Sequence, residues 1–124
     1  MTGLTFDAGA LIALERRRSR ISKIYTTATA DGLRITVPAV VVSEWWRGRS
    51  DVRDIILRGV RVELIDSALA KLAGEALAAV KGATTIDALV MASAARRGDV
   101  VYTSDVNDLE HLRTYFPSVR VLAA

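Results

Sequence analysis

Short apolar runs with the length and composition of strands alternate along this sequence with longer stretches of helical periodicity, and few folds accommodate that alternation. Leu4-Thr5-Phe6, Leu33 to Val37, Val60 to Ile65, Val100 to Thr103 and Val119 to Leu122 read as strands. Between them, apolar spacing predicts helices over Ala8 to Arg18, Ser19 to Ala30, a segment from about Ala39 that carries Glu44 and Trp45, Asp51 to Arg58, Ser67 to Val80, Thr85 to Arg97 and Leu109 to Tyr115. Pro38, Gly59 and Gly98 punctuate the pattern, and Ser104 to Asp108 reads as a polar turn. The pattern implies an α/β domain with a mostly parallel central sheet flanked by helices on both faces. In such sheets ligands bind beyond the carboxyl ends of the strands, where Asp7 and Asp105 fall.

A length of 124 residues with two prolines, no Gly/Ser tract and no repeat predicts one domain over 1–124. The first residues lack the basic start and apolar stretch of a signal peptide, and no apolar run is long enough to span a bilayer. The expectation is a cytoplasmic protein without membrane contact. Cysteine is absent, which removes disulfides, zinc-thiolate sites and cysteine nucleophiles together, so any metal must sit on oxygen. A net charge of +3 is compatible with a polyanionic partner without demanding one. The basic residues cluster at Arg16, Arg17, Arg18 and Arg20 and again at Arg47, Arg49 and Arg53.

Four acids stand beside apolar elements instead of within charged surfaces. Asp7 follows the first strand, Glu44 follows three valines, Asp87 opens a helix in Thr-Ile-Asp-Ala-Leu, and Asp105 closes Val-Tyr-Thr-Ser-Asp. A carboxylate beside a core is costly unless paired or metal-bound, and several that converge repel one another unless a cation lies between them. With oxygen ligands only, Mg2+ and Mn2+ are the natural cations, and no calcium-type loop is present. The chemistry that follows is metal-assisted phosphodiester hydrolysis, which needs no histidine or serine nucleophile.

In these features the sequence resembles the PIN-domain nucleases, and more narrowly the VapC-type toxins of bacterial and archaeal toxin-antitoxin pairs. The resemblance spans nearly the whole chain and rests on Asp7 after a short strand, Ser43-Glu44 beyond Val37-Pro38, Asp87-Ala88-Leu89 at the head of an alanine-rich helix, and Thr103-Ser104-Asp105. It implies an Mg2+- or Mn2+-dependent endoribonuclease that cuts RNA and so inhibits translation and growth. It further implies pairing with a VapB-like antitoxin and homodimerisation. By that resemblance Asp7 is the central metal ligand, Asp87 and Asp105 complete the metal sites directly or through water, and Glu44 orients or activates the attacking water. Thr103 lies two residues before Asp105, on the same strand face, where its hydroxyl can support a carboxylate or a phosphate. Asp108 follows Asp105 at helical spacing and is an auxiliary ligand or its replacement.

One departure stands out. Many relatives carry serine or threonine two residues after the first aspartate, and this chain has Gly9. A backbone amide or a water must then take over the support of Asp7.

Plainer readings exist for each residue. Asp7, Asp87 or Asp108 can simply cap a helix, although that does not explain Glu44. The arginines from Arg16 to Arg20 suit a solvated helix end, or phosphate contact beside the acids. Trp45 and Trp46 point about 100° apart on a helix, so only one can be fully in the core. His111 and the acids Glu15, Glu63, Glu75, Glu110 and Asp99 are expected on turns or solvated faces. A phosphorelay receiver would need a lysine after a late strand, and a haloacid-type phosphatase a second aspartate where Gly9 stands. The remaining alternative is a catalytically weak PIN-like module that binds RNA or protein.

Overall fold

The strand Leu4–Phe6 (β1) is the middle of the structure, a computed structural model that describes residues 2–124. All three of its residues, the polar Thr5 included, are buried, so both its faces are covered. The chain continues through α1 (Ala8–Glu15), α2 (Ser19–Ala30), β2 (Ile35–Pro38), α3 (Ala39–Trp45), α4 (Asp51–Arg58) and β3 (Arg61–Glu63). It then runs through α5 (Ser67–Ala79), α6 (Thr85–Arg97), β4 (Val100–Thr103), α7 (Val106–Leu112) and β5 (Val121–Ala123). The sheet order is β3-β2-β1-β4-β5, and every neighbouring pair is parallel. The chain builds outward from β1 to β3, then crosses back to lay β4 on the other side of β1. That reversal puts a topological switch point between β1 and β4, beside Asp7 and Asp105.

The core explains why these segments adopt these forms. Phe6, Leu11, Ile21, Met91 and Val101 are fully enclosed, and each side chain of this size contributes about 1.5 to 3 kcal/mol by leaving water. Helix α6 is buried from Ala88 through Ala94, and its small residues let it lie close to the sheet and to α5. Gly98 ends it in the left-handed region, φ 75°, which glycine adopts without steric cost.

Several boundaries differ from the sequence-based expectation. Helix α1 stops at Glu15, three residues early, because Arg17 takes φ 57° and turns the chain. The basic run therefore forms the corner between α1 and α2 instead of a helix end. Arg20 Nε donates to Ala123 O at 2.8 Å, at the carboxyl end of β5. Helix α7 begins at Val106 and ends at Leu112, so the polar turn is shorter than expected and Asp108 is helical. β2, β3 and β5 are each shorter than their apolar runs; Val119, for example, turns back to bond Phe116 O before β5 starts.

Three acids expected in solvent or at turns are instead tied into the structure. Glu63 accepts from Ser93 at 2.7 Å and pairs with Arg97 and Arg96, and these partners outweigh the upward push of burial and hold its carboxyl below its ordinary value. Asp99 is buried and accepts from Thr5 and Arg97, each at 2.9 Å. Glu15 accepts from Trp45 Nε1 at 2.8 Å and pairs with Arg53 at 3.0 Å. Trp45 is buried, and Trp46 is half-buried beside it with the ring planes at 67°.

Candidate functional site

Asp7 is the best-anchored of the four acids. It occupies the N-cap of α1 with an extended backbone, and its Oδ1 accepts from the amide of Ala10 at 2.9 Å. Its Oδ2 accepts from the Thr103 hydroxyl at 2.5 Å. Asp7 is thus a helix cap and an acid of the cluster at once, and the amide that supports it is the one at Ala10. Thr103 is fully buried at the end of β4, and its hydroxyl also accepts from the amide of Asp105 at 2.9 Å. One hydroxyl therefore ties together the two strand ends that flank the switch point.

The other acids arrive from three helices. Glu44 lies in α3 at the edge of the face that buries Val41 and Trp45, and is itself exposed. Asp87 lies in the first turn of α6, where Thr84 caps the helix by accepting from the Asp87 amide at 3.2 Å. Asp105 sits at the N-cap of α7 and makes no capping bond with its side chain. Asp108 follows it within the same helical turn and is exposed.

Their charges act on one another. Burial, chiefly, raises the carboxyl of Asp7 above its ordinary value; the bonds from Thr103 and Ala10 oppose this, while the charges of Asp87 and Glu44 add to it. Burial likewise raises Asp87, opposed by a hydrogen bond from Thr84 and helped by the charge of Asp105, and raises Glu44, helped by that of Asp87. Asp108 is raised by a hydrogen bond with Asp105 and by that group's charge. The four acids singled out in the sequence thus feel each other electrostatically, with Asp108 as a fifth member. Lys81, which sequence reasoning did not single out, and His111, which it placed on a solvated face and which is exposed, line a cleft of about 210 Å³ together with Thr84, Asp87 and Asp108. Neither stands in a recognisable motif, so only the folded placement brings them here.

The donor set is carboxylate and hydroxyl oxygen, which suits Mg2+ or Mn2+, and mutual repulsion among the acids is what such a cation relieves. Among the described residues, no group of three or more acidic or histidine side chains stands close enough to hold a metal ion between them.

Fold and site together define an α/β domain with an acidic centre at the switch point of a five-stranded parallel sheet. The chain belongs to the PIN domain family, whose family model matches residues 4–114. No curated protein matches the sequence. Solved structures share the fold at low identity. The crystal structure of DNA-bound VapBC from Salmonella typhimurium is 17% identical, covers 99% of this chain and 98% of that one, and has a TM-score of 0.75. VapBC2 from Rickettsia felis, bound to a promoter DNA fragment, is 10% identical with 98% of each chain covered and a TM-score of 0.78. FitAcB from Neisseria gonorrhoeae is 16% identical with 96% of each chain covered and a TM-score of 0.61.

Proposed function

We propose that this chain is a VapC-type toxin, a metal-dependent endoribonuclease held in check by a small VapB-like antitoxin. The observation that carries this reading is the mutually repelling set of acids around an Asp7 whose two oxygens are both fixed. Family membership and the fold shared with VapBC and FitAcB support it.

A bound Mg2+ or Mn2+ would supply an acidified water and neutralise the charge on the leaving oxygen. Asp7 is the central ligand, because the Thr103 and Ala10 bonds fix its carboxylate before any ligand arrives. Asp87 and Asp105 complete the ligation, directly or through water, with Asp108 as auxiliary to Asp105. Glu44 orients the attacking water and takes its proton; burial and Asp87 raise its carboxyl, which makes it the stronger base. The substrate is RNA in a single strand or an exposed loop, and the working protein is a homodimer in the cytoplasm. Among the described residues, no helix is long and apolar enough to cross a membrane.

The open spacing of the acids also favours a second reading, a PIN-like module that binds RNA or protein without cutting. Expression in growing cells separates the two. Induction of the wild-type chain should stop translation and growth while Asp7→Asn does not, and co-expression of the antitoxin should restore growth. Unimpaired growth with abundant folded wild-type protein would remove the toxin reading.

A further inference from the structure

The Ser104 hydroxyl stands where a side chain on residue 9 would begin. A Cβ on residue 9 would lie 1.9 Å from Ser104 Oγ, 3.1 Å from Ser104 Cβ and 3.3 Å from the Ser104 amide nitrogen. Only the first is closer than real Cβ atoms come, and it involves the tip of the Ser104 side chain, which would have to turn aside; the other two are tight contacts that need the β4–α7 connection, pinned by Thr103 and Asp105 on either side, to give by a few tenths of an ångström. Glycine is needed here for space rather than for an unusual backbone, since Gly9 has no left-handed φ. The Ser104 side chain occupies the volume that a side chain two residues after Asp7 would fill.

Ser104 is also placed to act. It lies between Thr103, which donates to Asp7, and Asp105, a member of the acidic set. It is exposed, and its hydroxyl is not drawn into the bonds that tie Asp7, Ala10, Thr103 and Asp105 together. A hydroxyl of this kind can donate to one carboxylate or water and accept from another, which suits the ordering of water between acids.

We propose that Ser104 is a positioning residue of the acidic centre, supplying from the β4–α7 connection the hydroxyl that the first turn of α1 lacks and orienting water bound to the divalent cation beside Asp7. The assignment rests on the metal-dependent reading above. Groups that orient ligands and bound water through hydrogen bonds typically contribute about 10- to 100-fold in metal affinity.

The test is titration calorimetry of Mn2+ into purified full-length protein without RNA, alongside thermal melts of the metal-free forms. Ser104→Ala should weaken Mn2+ binding by about 10-fold and leave Tm unchanged, because the side chain is exposed. Gly9→Ser alone should lower Tm, because the Ser104 hydroxyl must turn aside and the β4–α7 connection give by a few tenths of an ångström. Gly9→Ser combined with Ser104→Gly moves the hydroxyl across the gap, and should recover both Tm and most of the Mn2+ affinity. Wild-type affinity in Ser104→Ala overturns the assignment, as does a folded double variant that binds no better than Ser104→Ala. Absence of Mn2+ binding by the wild-type protein would instead overturn the metal-dependent reading, and this assignment with it.

Discussion

The hydroxyl of Thr103 donates to Oδ2 of Asp7 at 2.5 Å, joining residues 96 positions apart. This bond links the end of β4 to the head of α1 and aims a half-buried carboxylate into the switch point between β1 and β4. Thr103→Val keeps the shape and removes the donor, which leaves Asp7 and the Asp105 amide each short of a partner. The expected outcome is a stability loss of about 1 to 2 kcal/mol by denaturant melts. Mn2+ affinity should fall about 10-fold or more by calorimetry, and Thr103→Ser should restore most of it. Undiminished affinity in the valine variant would mean that Asp7 is oriented by Ala10 alone.

Asp7→Asn tests whether the centre is held at a cost to stability. The amide keeps an oxygen for the Ala10 nitrogen and a donor for Thr103, and removes a charge that burial and two acidic neighbours disfavour. Metal-free Asp7→Asn should melt a few degrees above the metal-free wild type. It should also lose the stabilisation that Mn2+ gives the wild type. A lower Tm for the metal-free variant would show that the carboxylate is a net structural asset and would weaken the case for a functional role.

The acidic set also fixes a sign for the pH dependence. Asp7, Glu44 and Asp87 have raised carboxyls in the fold, so over the range between unfolded and folded values the native protein holds protons that the unfolded chain has released. Their cost is absent below the unfolded values, near 4, and grows as pH rises through the folded ones. Glu63 and Asp66 have the opposite sign: their carboxyls are lowered, and the stability they contribute at neutral pH is lost as pH falls through their folded values. The metal-free protein should therefore gain stability as pH falls from neutral through the folded values of these three carboxyls, then lose it at more acid pH as Glu63 and Asp66 take up protons. The rise in Tm on adding Mn2+ should be larger at about pH 8 than at about pH 5.5. Equal rises at both values would contradict the placement of the cation among these carboxyls.

Arg97 sits at the far end of α6 from Asp87, about 15 Å along the helix, and joins Glu63, Asp99, Thr5 and Ser93. Arg97→Met leaves buried Asp99 without its cation and Glu63 with Arg96 alone, and should cost about 3 kcal/mol or more. Adding Glu63→Gln and Asp99→Asn to it should recover part of that loss. Mn2+ affinity measured on whichever variants remain folded should match the wild type, since this network holds the fold and touches none of the acids at the switch point.

Strand-helix alternation was readable because each element carries its own local pattern, and β1, α2 and α4 fall where apolar spacing and caps place them. The errors fall where local pattern gives way to tertiary contact. Nothing in the arginine run marks Arg17 as a left-handed residue, and α1 therefore ends earlier than its periodicity suggests. Glu63 and Asp99 look like surface acids in sequence because Arg97, their common partner, reaches them only after α6 has docked on the sheet. The acids of the site were legible as residues set against apolar elements. Their company was less so: the Thr103 hydroxyl was expected to support a carboxylate or a phosphate, but nothing local says that the carboxylate is that of Asp7, and the contact of Ser104 with Gly9 joins residues that no local rule relates.

The most direct measurement is cleavage of total cellular RNA by purified protein with Mg2+ or Mn2+, run beside EDTA and Asp7→Asn controls. Discrete fragments that appear only with metal and only with Asp7 intact are expected. RNA left whole by a folded, Mn2+-binding wild-type protein, or cut equally well by Asp7→Asn or in EDTA, would contradict a metal-dependent ribonuclease centred on Asp7.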